Sequence, residues 1–375
     1  QKLTKWPSGR EIFCMQAFNN QLSRRDFLKV AAAGVGGITL QPWQQLFNLP
    51  DFPQSEKLGR VVADGLGGWV DIKVAPDYDA ASVGTVYEDT VVPWLREKVG
   101  RWPWRNNQRW VETPEGFIWS PYVQPVKNDP AQPVTELPQQ GMWVEVCVPY
   151  VEAIIANGPP RSAWWRFRLE NGQTYRFYYS QILWVDQMKT ESDGSILYRI
   201  NERYGNPGDI FWCPAEAFRP LTTEETLPIN PDVTDKRIEV DISWKEQHLS
   251  CYEGNTEVYF CRISSGKAEG ATPLSPAYSP GYMIWRKLYS LHMGGSTAAG
   301  SWDVPAVGWT SLFHGDGVAI HSTYWHNNYG EPMSHGCINA SPDDSKWIFR
   351  WANPQVPFET GDLTLQGDGG TRVIV

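Results

Sequence analysis

Apolar residues in this chain form short runs that alternate with polar residues and end at glycine, proline or asparagine. Alternation with a period of two is typical of β-strands with one buried face, and Gly and Pro are typical of the turns between them. Stretches with the longer helical period are hard to find. The pattern therefore predicts a mainly β fold, and its clearest strands in the first part of the chain lie at 59–62, 70–76, 83–86, 91–95, 110–112 and 116–121.

A chain of 375 residues suits two or three domains. Segments rich in Pro, Thr, Asn and Asp are typical of linkers, and we predict linkers at 41–57, 125–138 and 222–235. The predicted organisation is a leader with its linker, two small β modules and a third domain, over residues 1–57, 58–127, 139–222 and 235–375.

The first module is similar to bacterial SH3-like domains, with residues 74–78 in the place of the usual turn and Lys73 where that pattern has arginine. The second module is a fainter repeat, because 209–214 resembles 116–121 and a proline follows each stretch. The resemblance implies one or two SH3-like β-barrels in front of the third domain.

Eleven of the chain's twenty tryptophans lie between residues 60 and 222. Exposed indoles would stack on the sugar rings of a glycan, but packing in the small cores is the stronger interpretation, since Trp buries a large area. Trp164 and Trp165 are adjacent in a predicted strand, so they should point to opposite faces. One of that pair is the better candidate for a surface site.

A formal net charge of −9 and a pI near 5.3 argue against a nucleic-acid-binding surface, which needs clustered basic residues. The six cysteines are too scattered for a disulfide scaffold. A two-residue turn within 253–256 would place Cys251 opposite Val258, which argues against a bridge from Cys251 to Cys261. A bridge between Cys147 and Cys213 is left open.

Residues 23–29, Ser-Arg-Arg-Asp-Phe-Leu-Lys, precede a short apolar run over 30–40. This segment resembles a twin-arginine export signal, and the alternative is a basic turn leading into a short cytosolic helix. The run is too short for an ordinary transmembrane helix, which needs about 20 residues. We predict an extracytoplasmic protein. Whether the signal is cleaved or kept as a membrane anchor is open.

The strongest chemical signal is His321, followed after a spacer by Ser334-His335-Gly336-Cys337-Ile338-Asn339. A thiol becomes a useful nucleophile when an imidazole accepts its proton, and a glycine allows the tight turn that aims backbone N–H groups at an oxyanion. His321 would reach Cys337 from an adjacent strand. The pattern predicts acyl transfer through a thioester. A zinc site at these residues is the less favoured interpretation, because their spacing is not the one at which paired zinc ligands usually recur.

This segment resembles the signature of the L,D-transpeptidase (YkuD-type) catalytic domain, and the likeness extends over 235–375, including 238–241, 249–254, 264–267 and 371–375. It departs from the family at 274–276, where a usual glycine is absent. The resemblance implies a β-sandwich with Cys337 as nucleophile, His321 as general base and His335 as an orienting residue. It also implies an oxyanion hole from the N–H groups of 335–337, with loop support from Ser334 and Asn339 and a substrate groove along Tyr324, Trp325 and His326.

The implied function is an exported L,D-transpeptidase that acts on peptidoglycan stem peptides and releases D-alanine. The expected protein is monomeric, needs neither a cofactor nor a metal, and contacts glycan strands. The alternatives are an L,D-carboxypeptidase of the same fold and a catalytically silent wall-binding adaptor. An NlpC-type hydrolase is disfavoured, because in that family the cysteine precedes the histidine. We expect a fragment of residues 235–375 to be active on soluble tetrapeptide by itself.

Overall fold

The computed structural model describes residues 48–63, 68–267, 271–276, 279, 281–297 and 300–375. The predicted export signal and Cys14 lie outside these residues. Within them, no helix has the length and apolar character needed to cross a membrane. The fold is mainly β, as the sequence pattern predicts.

The first region, residues 58–127, contains two small sheets around one apolar core. The strands that were predicted from alternation are all present. A turn of 3₁₀ helix at Ser120–Tyr122 separates the last two strands. The strands are β1 (Leu58–Val61), β2 (Trp69–Lys73), β3 (Ser82–Tyr87), β4 (Val91–Pro93), β5 (Arg96–Val99), β6 (Arg109–Thr113), β7 (Gly116–Trp119) and β8 (Val123–Val126). Their order is β4-β1-β8 in one sheet and β3-β2-β7-β6-β5 in the other.

The second region, residues 139–222, is a seven-stranded sheet with one helix. Its strand order is β11-β10-β14-β13-β12-β9-β15. The elements are β9 (Met142–Val146), β10 (Tyr150–Ile155), α1 (Ala163–Glu170), β11 (Tyr175–Tyr178), β12 (Ile182–Thr190), β13 (Ile196–Asn201), β14 (Ile210–Pro214) and β15 (Phe218–Pro220).

The strand predicted at Trp164 and Trp165 is wrong, because both residues lie in helix α1. Ser162 caps this helix by accepting a hydrogen bond from the Trp165 N–H at 3.3 Å. Trp165 is fully buried among aromatic rings, and Trp164 is half-buried. The helix thus directs one indole to the core and leaves the other near the surface.

The two regions share one local unit. In the first, β7, a 3₁₀ turn at Ser120–Tyr122 and β8 follow one another, and in the second β14, a 3₁₀ turn at Ala215–Ala217 and β15 do the same. In this shared unit, Trp119 and Pro214 occupy the same position, directly before the 3₁₀ turn. The structural repeat is therefore shifted by two residues from the predicted alignment of 116–121 with 209–214. The SH3-like assignment of both regions stays a prediction.

The third region, from residue 235 onward, packs two five-stranded sheets around a common core. The strand orders are β18-β17-β16-β25-β19 and β23-β22-β21-β20-β24. The elements are β16 (Lys236–Ser243), β17 (Glu246–Glu253), β18 (Thr256–Arg262), β19 (Tyr282–Met283), β20 (Arg286–Thr297), β21 (Gly300–Leu312), β22 (Ala319–Ser322), β23 (Ile338–Ala340), α3 (Pro342–Trp351), β24 (Asp362–Thr364) and β25 (Arg372–Ile374), after a short helix α2 (Thr223–Thr226).

The segments predicted as linkers are attached to the folded regions. Phe52 is buried in the core of the second region. The N–H of Val134 donates to the Tyr198 hydroxyl at 2.8 Å, and the N–H of Ile229 donates to the carbonyl of Arg350 at 3.1 Å. Proline and polar residues are typical of linkers, but these backbone N–H groups find partners on strand β13 and helix α3.

All cysteines in the described part of the chain are free thiols, so the Cys147–Cys213 bridge left open by the sequence is not formed. The predicted turn is a two-residue loop between Glu253 and Thr256. A register shift next to Cys251 sets it opposite Tyr259, not Val258. Cys261 is paired with Leu249 instead.

Candidate active site

His321 and Cys337 lie on neighbouring strands of one sheet. His321 is in β22, Cys337 directly precedes β23, and the two strands pair in parallel with His321 beside Asn339. Ile320 and Ile338 point into the core of the third region. Because strand side chains alternate between faces, His321 and Cys337 share the opposite face, one strand apart.

The loop before Cys337 is fixed by Ser334. Gly336 has a φ of 131°, in a region that side-chain-bearing residues rarely adopt. Its N–H donates to Ser334 Oγ at 3.1 Å, and the Ser334 hydroxyl donates to the Cys337 carbonyl at 2.6 Å. The predicted loop role of Ser334 thus has a geometric basis. The Gly336 N–H is already engaged here and would have to leave Ser334 to serve as an oxyanion donor.

The nucleophile and its candidate base are both uncharged at neutral pH. Burial raises the pKa of the Cys337 thiol to about 11, although a backbone hydrogen bond from Ala319 opposes the shift. Burial lowers the pKa of His321 to about 4, against a smaller opposing effect of its hydrogen bond to Ser322. Nδ1 of His321 donates to the Ser322 carbonyl at 2.8 Å, which leaves Nε2 of the neutral ring free to accept a proton.

The Cys337 side chain is partly exposed to solvent. It packs beside Leu288, Leu312 and Ala319. These neighbours explain the raised pKa, because a thiolate is poorly solvated among aliphatic groups. Attack on a carbonyl by this thiol would therefore need a proton transfer from Cys337 to the imidazole of His321.

His335 is exposed, and its ring stacks on Trp302 with a centroid distance of 5.0 Å and an interplanar angle of 18°. Trp302 lies in β21, and nothing in the sequence pattern pointed to it. The stack fixes the orientation of His335 on the surface beside the nucleophile loop. A role of His335 in orienting the thiol stays a prediction.

The three residues predicted to line a substrate groove differ in exposure. Tyr324 and His326 are buried, whereas Trp325 is half-exposed and packs on His321 with ring centroids 5.8 Å apart. The Tyr324 hydroxyl donates to the Pro305 carbonyl at 2.9 Å. The burial of Tyr324 and His326 fits packing and not a groove, and Trp325 remains the candidate groove residue.

The Asn339 side chain is buried and contacts His326. Its side-chain amide lies 2.9 Å from Nε2 of His326, whose Nδ1 accepts from the N–H of Asn328 at 3.2 Å. Burial lowers the pKa of His326 to about 3, so this ring is neutral as well. The contact joins the strand after Cys337 to the segment that follows His321.

Residues 264–267 were part of the sequence likeness, but without an assigned role. The structure places them along the nucleophile loop. The N–H of Lys267 donates to the Ser334 carbonyl at 2.9 Å, and the N–H groups of Ser334 and Asn339 donate to this stretch in return. Thr272, before the departure at 274–276, holds it by accepting from the Gly266 N–H at 2.9 Å.

His292 is a buried residue that is paired with two carboxylates. Its Nδ1 lies 2.8 Å from Glu202, and its Nε2 contacts Asp303. Burial disfavours the protonated, charged imidazole, but the two carboxylates outweigh this effect and raise the pKa of His292 to about 10. Despite its burial, the pKa of Asp303 is held near 2 by hydrogen bonding to His292, and Asp303 also accepts from the Ser162 hydroxyl at 2.9 Å. The sequence carried no signal for this cluster, since Glu202 and His292 are far apart in the chain.

The described residues place no group of three possible zinc ligands around Cys337. Within this part of the chain, the group of three ligand atoms within 4.8 Å of one another is formed by Asp241, Glu246 and His248, near the turn that joins β16 to β17 in the other sheet. Exposed carboxylates of this kind are common without an ion. His314 lies beside Asp316, with 3.5 Å between its Nδ1 and the carboxylate.

An aromatic cleft of about 450 Å³ lies in the first region. Its floor is built by buried Trp119 and half-buried Trp102, whose ring centroids are 4.2 Å apart. Trp69, at its edge, is 60% exposed. Core packing, the stronger interpretation, holds for five of the eleven tryptophans of the first two regions, and the other six are half-buried or exposed. The buried five are Trp110, Trp119, Trp143, Trp165 and Trp184.

Residues 235–375 match the family model of the YkuD L,D-transpeptidase catalytic domain. The matched residues make up less than half of the sequence. The predicted recognition of the family is confirmed. A comparison with curated protein sequences gave no match.

Solved structures similar to this chain are also L,D-transpeptidases. A mutant of the Enterococcus faecium enzyme is 26% identical over 38% of this chain and 51% of its own, with a TM-score of 0.29. The catalytic domain from E. faecium is 26% identical over 38% of this chain and 96% of its own, also at 0.29. The Mycobacterium smegmatis enzyme is 17% identical over 48% and 82%, at 0.28. The match thus spans about half the length of the first of these proteins.

Proposed function

We propose that this chain is an exported L,D-transpeptidase that remodels peptidoglycan cross-links through a thioester at Cys337. The observation that carries the proposal is the placement of Cys337 and His321 on one face of adjacent parallel strands, within a matched catalytic domain. The thiol is partly exposed, and Nε2 of the neutral His321 is free to accept a proton.

In the proposed reaction, Cys337 Sγ attacks the carbonyl of the L-centre of the third residue of a stem tetrapeptide. A C–S bond forms, the bond to the terminal D-alanine nitrogen breaks, and His321 passes the thiol proton to the leaving amine. An amine of another stem then attacks the thioester, transfers its proton to His321 and restores the thiol. Attack by water instead gives L,D-carboxypeptidase activity, the second candidate.

Two further parts of the proposal concern where the enzyme works. The segment over residues 23–40 would export it by the twin-arginine route. The aromatic cleft would hold glycan strands, because Trp69 exposes a flat ring beside Asp71 and Lys73, whose charged groups lie 3.3 Å apart. Stacking on sugar rings combined with polar contacts suits a glycan.

Mass spectrometry of the purified protein with a disaccharide tetrapeptide tests the chemistry. Wild type should release D-alanine and yield cross-linked dimers, and Cys337→Ala should do neither while keeping its fold. His321→Ala should lose about 10²–10⁴-fold in rate, as is usual for a general base. Turnover by the Cys337 variant would disprove the nucleophile, and products without dimers would favour the carboxypeptidase. An inert wild-type protein that still binds sacculi would favour the adaptor.

Export is tested separately by a reporter fused to residues 1–57. Replacement of Arg24 and Arg25 by lysine should stop its secretion, since the twin-arginine receptor distinguishes guanidinium from ammonium groups. Secretion of the lysine variant at the original level would show that another route is used.

A further inference from the structure

The segment between the candidate base and the nucleophile loop, residues 323–331, is mostly buried. It begins two residues after His321 and ends three residues before Ser334. It also touches both sides of the site, since Trp325 packs on His321 and His326 contacts Asn339. We call it the connecting segment. A shift in this segment would move the imidazole and the thiol relative to each other.

The first region binds this segment at its carboxyl end. Glu331, with 2% of its side chain exposed, accepts from Arg105 at 2.9 Å and from the N–H of Asn106 at 2.8 Å. Within the segment, the Asn328 amide donates to Glu331 at 3.2 Å. A buried carboxylate costs free energy unless it is paired and hydrogen-bonded. The loop around Arg105 therefore supplies a positive charge and a backbone N–H that offset the free-energy cost of burying Glu331.

The middle of the segment is held by the 3₁₀ turn of the first region. The Asn327 amide donates to the carbonyls of Val123 at 2.9 Å and Ser120 at 3.2 Å. The N–H of Asn327 donates to the Pro121 carbonyl at 3.3 Å. The side chain and backbone N–H of Asn327 thus pair with three carbonyls within residues 120–123 of the first region.

The amino end is held by a buried ionic group. Gln124 donates to the Thr323 carbonyl at 3.2 Å, and Arg60 donates to the Tyr324 carbonyl. Arg60 is itself paired with Asp89 at 2.7 Å. Despite its burial, the pKa of Asp89 stays below its usual range, because Arg60 and Arg176 favour the charged carboxylate.

We propose that the first region is an internal positioning element for the catalytic centre, with Arg105, Gln124 and Arg60 as positioning residues that hold the connecting segment and thereby the alignment of His321 with Cys337. The inference rests on the proposed function for its chemistry. It assigns the first region a part in turnover itself, beyond holding a glycan.

Arg105 offers the cleanest test, because its side chain is 40% exposed and its removal leaves the cores intact. In the full chain, Arg105→Ala should lower kcat for D-alanine release by about 10- to 100-fold, since small misalignments of reacting groups have effects of this size. KM should change little, because Arg105 makes no contact with the candidate groove residue Trp325. Arg105→Lys, which keeps a charge for Glu331, should recover most of the rate.

Arg96→Ala is the matched control. Arg96 lies in the same region and its side chain is 65% exposed. Within the described part of the chain it pairs with Glu112, which is not in the connecting segment. It should leave kcat unchanged. Thermal unfolding of all variants distinguishes misalignment from loss of fold.

A second readout does not depend on the substrate. The rate of Cys337 alkylation by iodoacetamide, followed by peptide mass spectrometry from pH 6 to pH 10, reports how well His321 assists the thiol. Arg105→Ala should react more slowly near neutral pH and approach wild type toward pH 10, because the growing fraction of free thiolate reacts without help from His321. Equal alkylation profiles and equal kcat in wild type and Arg105→Ala would overturn the proposal, as would an equal loss in Arg96→Ala. A wild type without D-alanine release would refute the proposed function, while the alkylation series would still decide the positioning role.

Discussion

The first and second regions are both rich in small sheets, but they join the third region by different kinds of contact. The first region makes a polar contact, in which side chains such as Arg105 and Gln124 pair with backbone and carboxylate groups of the connecting segment. The second region shares an apolar core with the third, where Trp143 and Trp184 pack with Tyr289, Trp309 and Phe349. Apolar burial is the larger source of stability, whereas hydrogen bonds specify geometry.

The two regions should therefore have different functions, although the sequence predicts both as similar small β modules. The second region is expected to stabilise the fold of the catalytic domain, and the first to adjust its active site. Neither behaves as a domain on a free tether. Substitutions in the two regions should therefore differ in whether they lower stability or turnover.

The largest effect is expected from removing both regions. A fragment of residues 235–375 exposes Tyr289, Trp309 and Phe349, so it should self-associate and unfold at much lower urea concentration than the full chain. This revises the expectation that the fragment is active alone. Urea titration by circular dichroism, with size-exclusion chromatography, measures it. A monomeric fragment with the stability and D-alanine release of the full chain would restore the original expectation and refute the shared-core argument.

A single substitution in the shared core should have a smaller but still large effect. Trp143→Ala removes a ring that packs edge-on against Tyr289 at 5.6 Å and should destabilise the chain by about 3–5 kcal/mol. The matched control is Trp104→Ala in the first region, where the indole is 79% exposed, with an expected change of about 0.5 kcal/mol or less. Chemical denaturation of both variants gives the two values. Equal losses would mean that the two regions do not differ as described.

The smallest expected effect is a pH dependence at the boundary of the second and third regions. The pKa of His292 is near 6.5 in an unfolded chain and about 10 in the fold, so its stabilisation is full below about pH 6.5 and is lost as the pH rises through 10. The pKa of Asp303 is about 2, so the stabilisation that its charged carboxylate provides is complete above about pH 4. The stability difference between wild type and His292→Gln should therefore shrink between pH 6.5 and 10. A difference that stays constant over this range would contradict the charged His292.

The sequence by itself determined most strands of the first region, the two-residue turn at 254–255 and the class of the domain at residues 235–375. These follow from local patterns: alternation of apolar residues, turn residues, and a short motif around Cys337 whose chemistry needs few positions. The helix at Trp164 and Trp165 was missed because their apolar character outweighed the capping residue Ser162. Asp303, from a distant strand, accepts from the Ala163 N–H at 2.6 Å and from Ser162, and so favours the helix.

Only the tertiary structure decided what surrounds the motif. Burial makes His321 and Cys337 a neutral pair, a property that depends on the residues packed around them and not on their order in the chain. Arg105 and Glu331 are 226 residues apart, and no local pattern relates them. Contacts of this kind arise when whole sheets pack, because each buried charge must find its partner wherever the fold places one.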